Sequence, residues 1–191
     1  ACKKINAKMI FISSSYIFDG KKGNYMETEI PNSENKYALS KIDAEKKVLE
    51  LFNSIVIRSE PMYGFDIIKK QIVFGTNTFE LDVKIGFPDI LRKPIYVDDF
   101  PPIILRLIEK DKSGIFNLAG PSKLKWIDFV TDLSLLIDAQ KKIKLVNSSD
   151  WILNPPYDST LDTSKIESIG IKTSTFNEAL KEIKYKLTEK W

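Results

Sequence analysis

The chain has 191 residues, of which 43% are hydrophobic and 29% are charged, a composition typical of a folded globular domain. Its 29 Lys and Arg against 26 Asp and Glu give a net charge of +3, too small to predict nucleic acid or an anionic membrane as a partner. Histidine is absent and cysteine occurs once, which excludes Ser-His-Asp and Cys-His catalysis, His-ligated zinc, cysteine-ligated clusters and an internal disulfide. We therefore expect a cytoplasmic protein that uses no metal and takes its proton chemistry from Asp, Glu, Lys, Tyr or Ser.

The first third of the sequence predicts a strand, a helix and a second strand. Apolar runs at residues 9–12 and 54–58 are typical of buried parallel strands, and the segment 37–52 between them has apolar residues near helical spacing. Residues 1–7 are typical of the last turn of a helix, and a fold seldom begins there, so we expect the chain to be a fragment of a longer protein. No apolar run approaches the roughly 20 residues that a membrane span needs.

The remaining elements are predicted from apolar periodicity and turn residues. We predict a short helix at 65–74, an edge strand at 79–83, a helix at 101–108, a strand at 115–119 and helices at 126–137 and 176–187. Asp98 and Asp99 directly precede the helix at 101–108, and we expect them to cap it.

A tyrosine and a lysine at helical spacing carry the main chemical signal. Tyr37 and Lys41 are four residues apart, so they share one face of the predicted helix. An ammonium beside a tyrosine favours the phenolate, and such a pair can exchange a proton with a carbonyl or an alcohol. Ser13, Ser14 and Ser15 follow the first strand at its carboxyl end, where open α/β sheets bind their ligands. As a short motif the Tyr-Lys pair is weak, and a solvated helix face explains it equally simply.

Six segments in chain order resemble the extended short-chain dehydrogenase/reductases. Ser-Ser-Ser-Tyr-Ile-Phe-Asp-Gly at 13–20 and Tyr-x-x-x-Lys with Glu45 following are similar to the dTDP-4-dehydrorhamnose reductase branch of that superfamily. The other similar segments lie at 57–64, 94–99, 114–120 and 159–165. The resemblance covers nearly the whole chain.

The resemblance implies an α/β fold that is part of a doubly wound, parallel Rossmann-type sheet, with a smaller α/β substrate lobe. The glycine-rich dinucleotide loop of the family is not found in this sequence, so the N-terminal phosphate-binding half is expected to be missing. By resemblance, residues 1–65 and 93–120 form the C-terminal part of the NAD(P)-binding domain, and residues 66–92 and 121–191 form the substrate lobe.

The resemblance also implies reduction of a carbonyl on a nucleotide-linked sugar, with a hydride from NADPH or NADH and a proton from Tyr37. The catalytic residues carried over are Ser14, Tyr37 and Lys41. The cofactor-binding residues are Ser13, Tyr37, Lys41, Ser59 and Pro61, and the substrate-binding residues are Ser15, Tyr16, Phe18 and Pro61. The expected partner is the nucleotide-sugar substrate, with no nucleic acid and no membrane; a homodimer is compatible with the resemblance.

Three residues depart from the reductase pattern. Ser15, Pro61 and Pro155 stand where this branch usually has Asp, Trp and Arg, which removes an aromatic ring and a cation that face the sugar nucleotide there. The chain also resembles the regulatory β subunit of methionine adenosyltransferase, which leaves a non-catalytic NADP-binding subunit as the alternative. A nucleotide-sugar epimerase uses the same Ser, Tyr and Lys and is a third interpretation.

Overall fold

The computed structural model describes residues 1–66, 68, 71–75, 77–78, 83–137, 142–147 and 155–188. In chain order the elements of these ranges are α1 (Cys2–Ile5), β1 (Ile10–Ser14), α2 (Lys36–Leu49), β2 (Ile55–Ser59), β3 (Met62–Asp66), β4 (Gln71–Phe74), β5 (Asn77–Thr78), β6 (Val83–Ile85), β7 (Leu91–Arg92), β8 (Ile95–Tyr96), α3 (Phe100–Glu109), β9 (Gly114–Leu118), β10 (Leu124–Lys125), α4 (Trp126–Leu135), β11 (Ile143–Leu145), α5 (Ser164–Glu167) and α6 (Phe176–Thr188). None of the helices in these ranges is long and apolar enough to cross a membrane.

A three-stranded parallel sheet holds the N-terminal half together. Its strand order is β1-β2-β9, with Ile10 opposite Ile55 and Ile55 opposite Gly114. All five residues of the central strand β2 are buried, as expected for a strand covered on both faces. Helix α2 makes the crossover between the parallel strands β1 and β2. The predicted α/β class with a parallel sheet is confirmed.

Helix α2 begins where Asn35 supplies a side-chain cap. The Asn35 Oδ1 atom accepts a hydrogen bond from the Ala38 backbone N–H at 2.7 Å, which satisfies one of the unpaired donors at a helix start. The predicted helix is confirmed, but its buried face differs from the apolar stripe: Ala38, Glu45 and Val48 are buried, whereas Leu39 is 51% exposed. A buried ion pair made by Glu45 explains why a charged residue lies on the inner face.

The predicted helix at 65–74 is wrong, because β3 and β4 occupy its described part. These strands pair antiparallel, with Tyr63 opposite Phe74 and Phe65 opposite Ile72. They belong to a four-stranded sheet of order β5-β4-β3-β8. Tyr63, Ile72 and Phe74 are buried against α4 and α6, and this distant packing decides in favour of strands. In the predicted edge strand at 79–83, positions 79–82 lie outside the described residues, and Val83 begins β6.

The buried apolar residues form two large clusters. One lies on the parallel sheet and contains Ile55, Ile57, Ile95, Phe100, Ile103, Leu107, Phe116, Leu118, Ile166 and Ile171. The other joins the second sheet to α4 and α6 and contains Tyr63, Ile72, Phe74, Val83, Ile85, Tyr96, Phe129, Val130, Leu133, Ala179 and Ile183. Ile166 of α5 and Ile171 after it therefore pack on the parallel sheet. The domain division that the resemblance implies assigns both residues to the substrate lobe.

Asp98 and Asp99 do not cap α3 as predicted. Within the part of the chain that the structure describes, neither carboxylate makes a capping hydrogen bond at the N-terminus of α3. Asp99 instead accepts hydrogen bonds from the backbone N–H and the hydroxyl of Ser174, each at 2.8 Å, and Asp98 pairs with Lys186 of α6. Both carboxylates thus tie the start of α3 to the C-terminal segment, where backbone and side-chain donors are available.

Candidate active site

A cleft of about 660 Å³ lies at the carboxyl ends of β1 and β2. It is lined by Ile12, Ser13, Ser14, Tyr16, Asn35, Tyr37, Lys41, Ser59, Glu60, Pro61, Met62, Gly75, Trp126 and Pro155. All three predicted catalytic residues and every predicted cofactor-binding residue are in this set. The parallel sheet places them together, because the carboxyl ends of neighbouring strands share one edge.

Tyr37 and Lys41, both on α2, are ionisable residues that line the cleft. The Tyr37 side chain is half exposed, and the Lys41 Nζ atom lies 5.7 Å from the centroid of its ring. Lys41 Nζ donates a hydrogen bond to the Ile12 carbonyl at 3.0 Å and lies 4.9 Å from the Phe11 ring centroid. An ammonium has three N–H donors, so this contact with β1 orients Lys41 and leaves donors for a ligand.

The two serines at the end of β1 differ in how their hydroxyls are used. The Ser14 Oγ atom accepts a hydrogen bond from the Tyr16 backbone N–H at 3.2 Å, so its hydroxyl proton remains available to a ligand oxygen. The Ser13 Oγ atom is buried and has no hydrogen-bond partner in the part of the chain that the structure describes. A buried hydroxyl without a hydrogen bond is unfavourable unless a ligand or a water molecule forms that hydrogen bond.

A buried ion pair fixes α2 against the parallel sheet. Arg58 of β2 donates to Glu45 of α2 through Nη2 at 2.9 Å and through Nε at 3.2 Å. The Arg58 Nη1 atom also donates to the Glu27 carbonyl at 3.2 Å. The side chains of Arg58 and Glu45 are only 2% and 4% exposed. Because Glu45 follows Lys41 by one helical turn, this pair sets the position of the helix that carries the ionisable residues.

The structure does not bring Ser15 and Phe18, two of the predicted substrate-binding residues, into the cleft. Ser15 is fully buried, and its Oγ atom lies 3.5 Å from the Ser159 hydroxyl. Phe18 is also fully buried, stacked on Tyr25 with ring centroids 4.2 Å apart and covered by the Arg58 guanidinium at 5.4 Å. The short 3-10 turn after β1 directs both side chains into the protein interior, whereas Tyr16 between them lines the cleft.

Six cleft residues were not singled out by the sequence analysis: Ile12, Asn35, Glu60, Met62, Gly75 and Trp126. Glu60 is the most unusual, because it is 2% exposed and neither carboxyl oxygen has a hydrogen-bond partner within the described ranges. Burial raises the pKa of Glu60 to about 7. One sequence signal could have identified Glu60 as a cleft residue: it lies between Ser59 and Pro61, directly after a strand that is fully buried.

The described residues contain no group of three or more Asp, Glu, Cys or His that could hold a metal ion. Within these ranges the cleft therefore combines hydroxyls, a phenol, an ammonium and one buried carboxyl. Such a set suits proton transfer and hydrogen bonding to an oxygen-rich ligand.

Comparison with known proteins places the chain in a family. Residues 1–189 match the family model described as the RmlD substrate binding domain. The chain belongs to this family. It is 30% identical to dTDP-4-dehydrorhamnose reductase of Aggregatibacter actinomycetemcomitans, over 94% of this chain and 67% of the relative. It is also 30% identical to methionine adenosyltransferase 2 subunit beta of Mus musculus, over 93% of this chain and 57% of that protein.

The solved structures agree on the fold of this RmlD family member. The dTDP-4-dehydrorhamnose reductase of Bacillus anthracis in complex with NADP aligns with a TM-score of 0.78 and 21% identity, covering 95% of this chain and 66% of that one. The present chain thus spans between about half and two thirds of the length of these relatives. The predicted membership of the extended reductase superfamily, in this branch, is confirmed.

Proposed function

We propose that the chain provides the substrate side and the proton-transfer residues of an NAD(P)H-dependent reductase that acts on a carbonyl of a nucleotide-linked sugar. The supporting observation is the shared cleft, which brings Ser14, Tyr37 and Lys41 together with the Ser13 hydroxyl, for which the described residues supply no hydrogen-bond partner. Similarity to a dTDP-4-dehydrorhamnose reductase supports the same reaction class. The proposal includes the predicted division into a Rossmann-type part and a substrate lobe, and a cytoplasmic location.

Each residue has a defined role in the proposed reaction. Tyr37 donates its phenolic proton to the oxygen of the carbonyl that is being reduced. Ser14 donates a hydrogen bond from its hydroxyl to the same oxygen and orients it, keeping its own proton, because the Ser14 Oγ atom accepts a hydrogen bond from the Tyr16 N–H. Lys41, anchored on the Ile12 carbonyl, places a positive charge beside Tyr37 that stabilises the phenolate left after proton transfer. Tyr16 and Pro61 line the cleft for the substrate.

The residues present fit the nicotinamide-ribose end of a dinucleotide. Ser13 has a buried hydroxyl to which no described residue is hydrogen-bonded, and Lys41 donates only one of its three N–H groups to the Ile12 carbonyl. Ser59 and Pro61 line the same cleft. When bound, the cofactor supplies the hydride that reduces the carbonyl carbon. A relative of similar fold is described in complex with NADP.

The test replaces Tyr37 by Phe in the complete encoded protein that contains this chain. The expected result is a fall in NADPH oxidation of about a hundredfold with 4-keto nucleotide sugars, because the ring stays and the proton donor is lost. NADPH affinity is expected to change little, whereas Lys41→Ala weakens it. Tyr185→Phe removes the hydroxyl of an exposed tyrosine that does not line the cleft, and it serves as the matched control. Equal activity of Tyr37→Phe and the unmodified protein would contradict the proposal.

A regulatory subunit is the second candidate. The similarity to methionine adenosyltransferase 2 subunit beta, over 93% of the chain, favours it. In that case the cleft binds a nucleotide without turnover, and the partner is the catalytic methionine adenosyltransferase. A pull-down with that enzyme then recovers a stable complex that Tyr37→Phe leaves intact, while no 4-keto sugar is reduced.

A further inference from the structure

Trp126 is an aromatic residue of the cleft that the proposed reaction does not use. Of the described residues that line the cleft, Tyr16, Tyr37 and Trp126 are aromatic. Tyr37 is the proposed proton donor, and Tyr16 lies two residues after Ser14, near the proposed position of the carbonyl. Trp126 comes from a different part of the fold, because it is the first residue of α4. It therefore contributes a part of the cleft wall to which the reaction assigns no ligand.

The backbone at Trp126 is fixed by hydrogen bonds to the segment 88–92. The Trp126 N–H donates to the Ile90 carbonyl at 2.9 Å, and the Ile127 N–H donates to the Pro88 carbonyl at 3.0 Å. Directly before Trp126, β10 pairs antiparallel with β7. The indole thus extends from an anchored helix start rather than from a free loop.

The side chain of Trp126 rests on two buried rings. It is partly buried and packs against the cluster that joins the second sheet to α4 and α6. Its ring centroid lies 5.1 Å from that of Phe129 and 6.2 Å from that of Phe74, separations typical of interacting aromatic rings. Phe74 and Phe129 are fully buried. A ring that is held in place before a ligand arrives loses little side-chain entropy on binding.

The residues next to Trp126 leave room for a flat ring. Met62 and Gly75 line the cleft with it, and the Gly75 N–H donates to the Met62 carbonyl at 2.7 Å. Gly75 directly follows Phe74, whose ring contacts Trp126. A Cβ added at Gly75 would meet no described atom within 4 Å. These three residues offer apolar surface and no ionisable group, which suits a flat ring rather than a phosphate.

The two ends of a nucleotide-linked sugar fit two different parts of this cleft. In the proposed reaction the sugar carbonyl lies at Tyr37 and Ser14, and the nucleobase is at the other end of the same molecule. We propose that Trp126 stacks on the nucleobase of the substrate and so favours nucleotide-linked over free sugars. Stacking of this kind accepts every base, because each base has a π-face. The inference rests on the function proposed above and names a further residue of the same site.

The first experiment records ¹⁹F NMR spectra of the complete encoded protein labelled with 5-fluorotryptophan. The signal of Trp126 is identified as the one that is absent from Trp126→Phe. Saturating dTDP and UDP are each expected to shift this signal, because a stacked base changes the environment of the indole. Inorganic pyrophosphate has no base and is expected to leave the signal in place. A signal that neither nucleotide shifts, or that pyrophosphate shifts equally, overturns the proposal.

The second experiment measures the affinity for dTDP and for UDP by calorimetry. Trp126→Leu keeps an apolar side chain on Phe74 and Phe129 but removes the aromatic face. It is expected to weaken both nucleotides by about tenfold, the usual scale for losing one stacked base, and to leave NADPH affinity unchanged. Trp126→Phe retains a ring and is expected to keep most of the affinity, and it replaces Trp126→Leu if the leucine variant does not fold. Phe52→Leu, at an exposed phenylalanine outside the described cleft lining, is the matched control and keeps full affinity.

The outcomes separate this inference from the proposed function. Equal dTDP affinity of Trp126→Leu and the unmodified protein overturns the role of Trp126 and leaves the proposed reaction standing. A loss confined to NADPH also overturns it, because the indole then contacts the cofactor instead of the substrate. If the unmodified protein binds neither dTDP nor UDP, the proposed substrate class is refuted and this inference with it.

Discussion

The Glu45–Arg58 pair is predicted to be a strong determinant of stability, and Glu45→Ala tests it. The substitution leaves a guanidinium that is 2% exposed, with the Glu27 carbonyl as its remaining acceptor among the described residues. Breaking a buried pair from one side costs about 3–5 kcal/mol, because the other charge stays buried and uncompensated. Since α2 carries Tyr37 and Lys41, the loss is also expected to loosen the helix face that lines the cleft.

Urea denaturation measures the change in the free energy of unfolding. The double variant with Glu45→Leu and Arg58→Met is expected to recover much of the loss, because neither charge is then buried. Asp43→Asn removes a carboxylate from an exposed pair with Lys47 on the same helix, and no measurable change is expected there. A loss below about 1 kcal/mol for Glu45→Ala would refute the reasoning, since that is the range of an exposed pair.

Two further changes address the turn after β9 and the buried acid. Gly120→Ala is expected to cost at least about 1–3 kcal/mol in thermal or urea unfolding, because its Cβ would stand 2.1 Å from the Pro94 carbonyl oxygen; an unchanged midpoint would contradict this. A Glu60 pKa of about 7 instead of 4.5 means that the folded protein binds more protons than the unfolded chain between those values. Unfolding free energy therefore falls by about 3 kcal/mol as pH rises from 4.5 to above 7. The Glu60→Gln variant is expected to lose this part of the pH dependence of the unfolding free energy. Identical pH profiles of the two proteins would show that Glu60 is not buried as described.

The sequence alone determined the parts of this protein that depend on local pattern. The apolar runs around β1, β2 and β9 predicted a parallel sheet, and the spacing of Tyr37 and Lys41 placed them on one helix face, because a helix repeats every 3.6 residues. The position of Ser13 at the end of the first strand predicted its place in the cleft, since parallel strands bind ligands at one edge of the sheet. The place of Ser59 there was predicted by the family resemblance. The quoted motifs also identified the family that the comparisons confirm.

Only the tertiary structure decided which side chains are covered, because covering residues come from distant parts of the chain. Ser15 is buried next to Ser159, and Phe18 is covered by the Arg58 guanidinium from β2. The segment 65–74 forms strands because distant helices supply the surface against which those strands are buried. Burial raises the pKa of Glu60, and the charge of Asp158 raises it further, whereas Arg92 and Lys93 lower it. Burial and electrostatic environment are sums over contacts in space, and local sequence spacing does not contain those contacts.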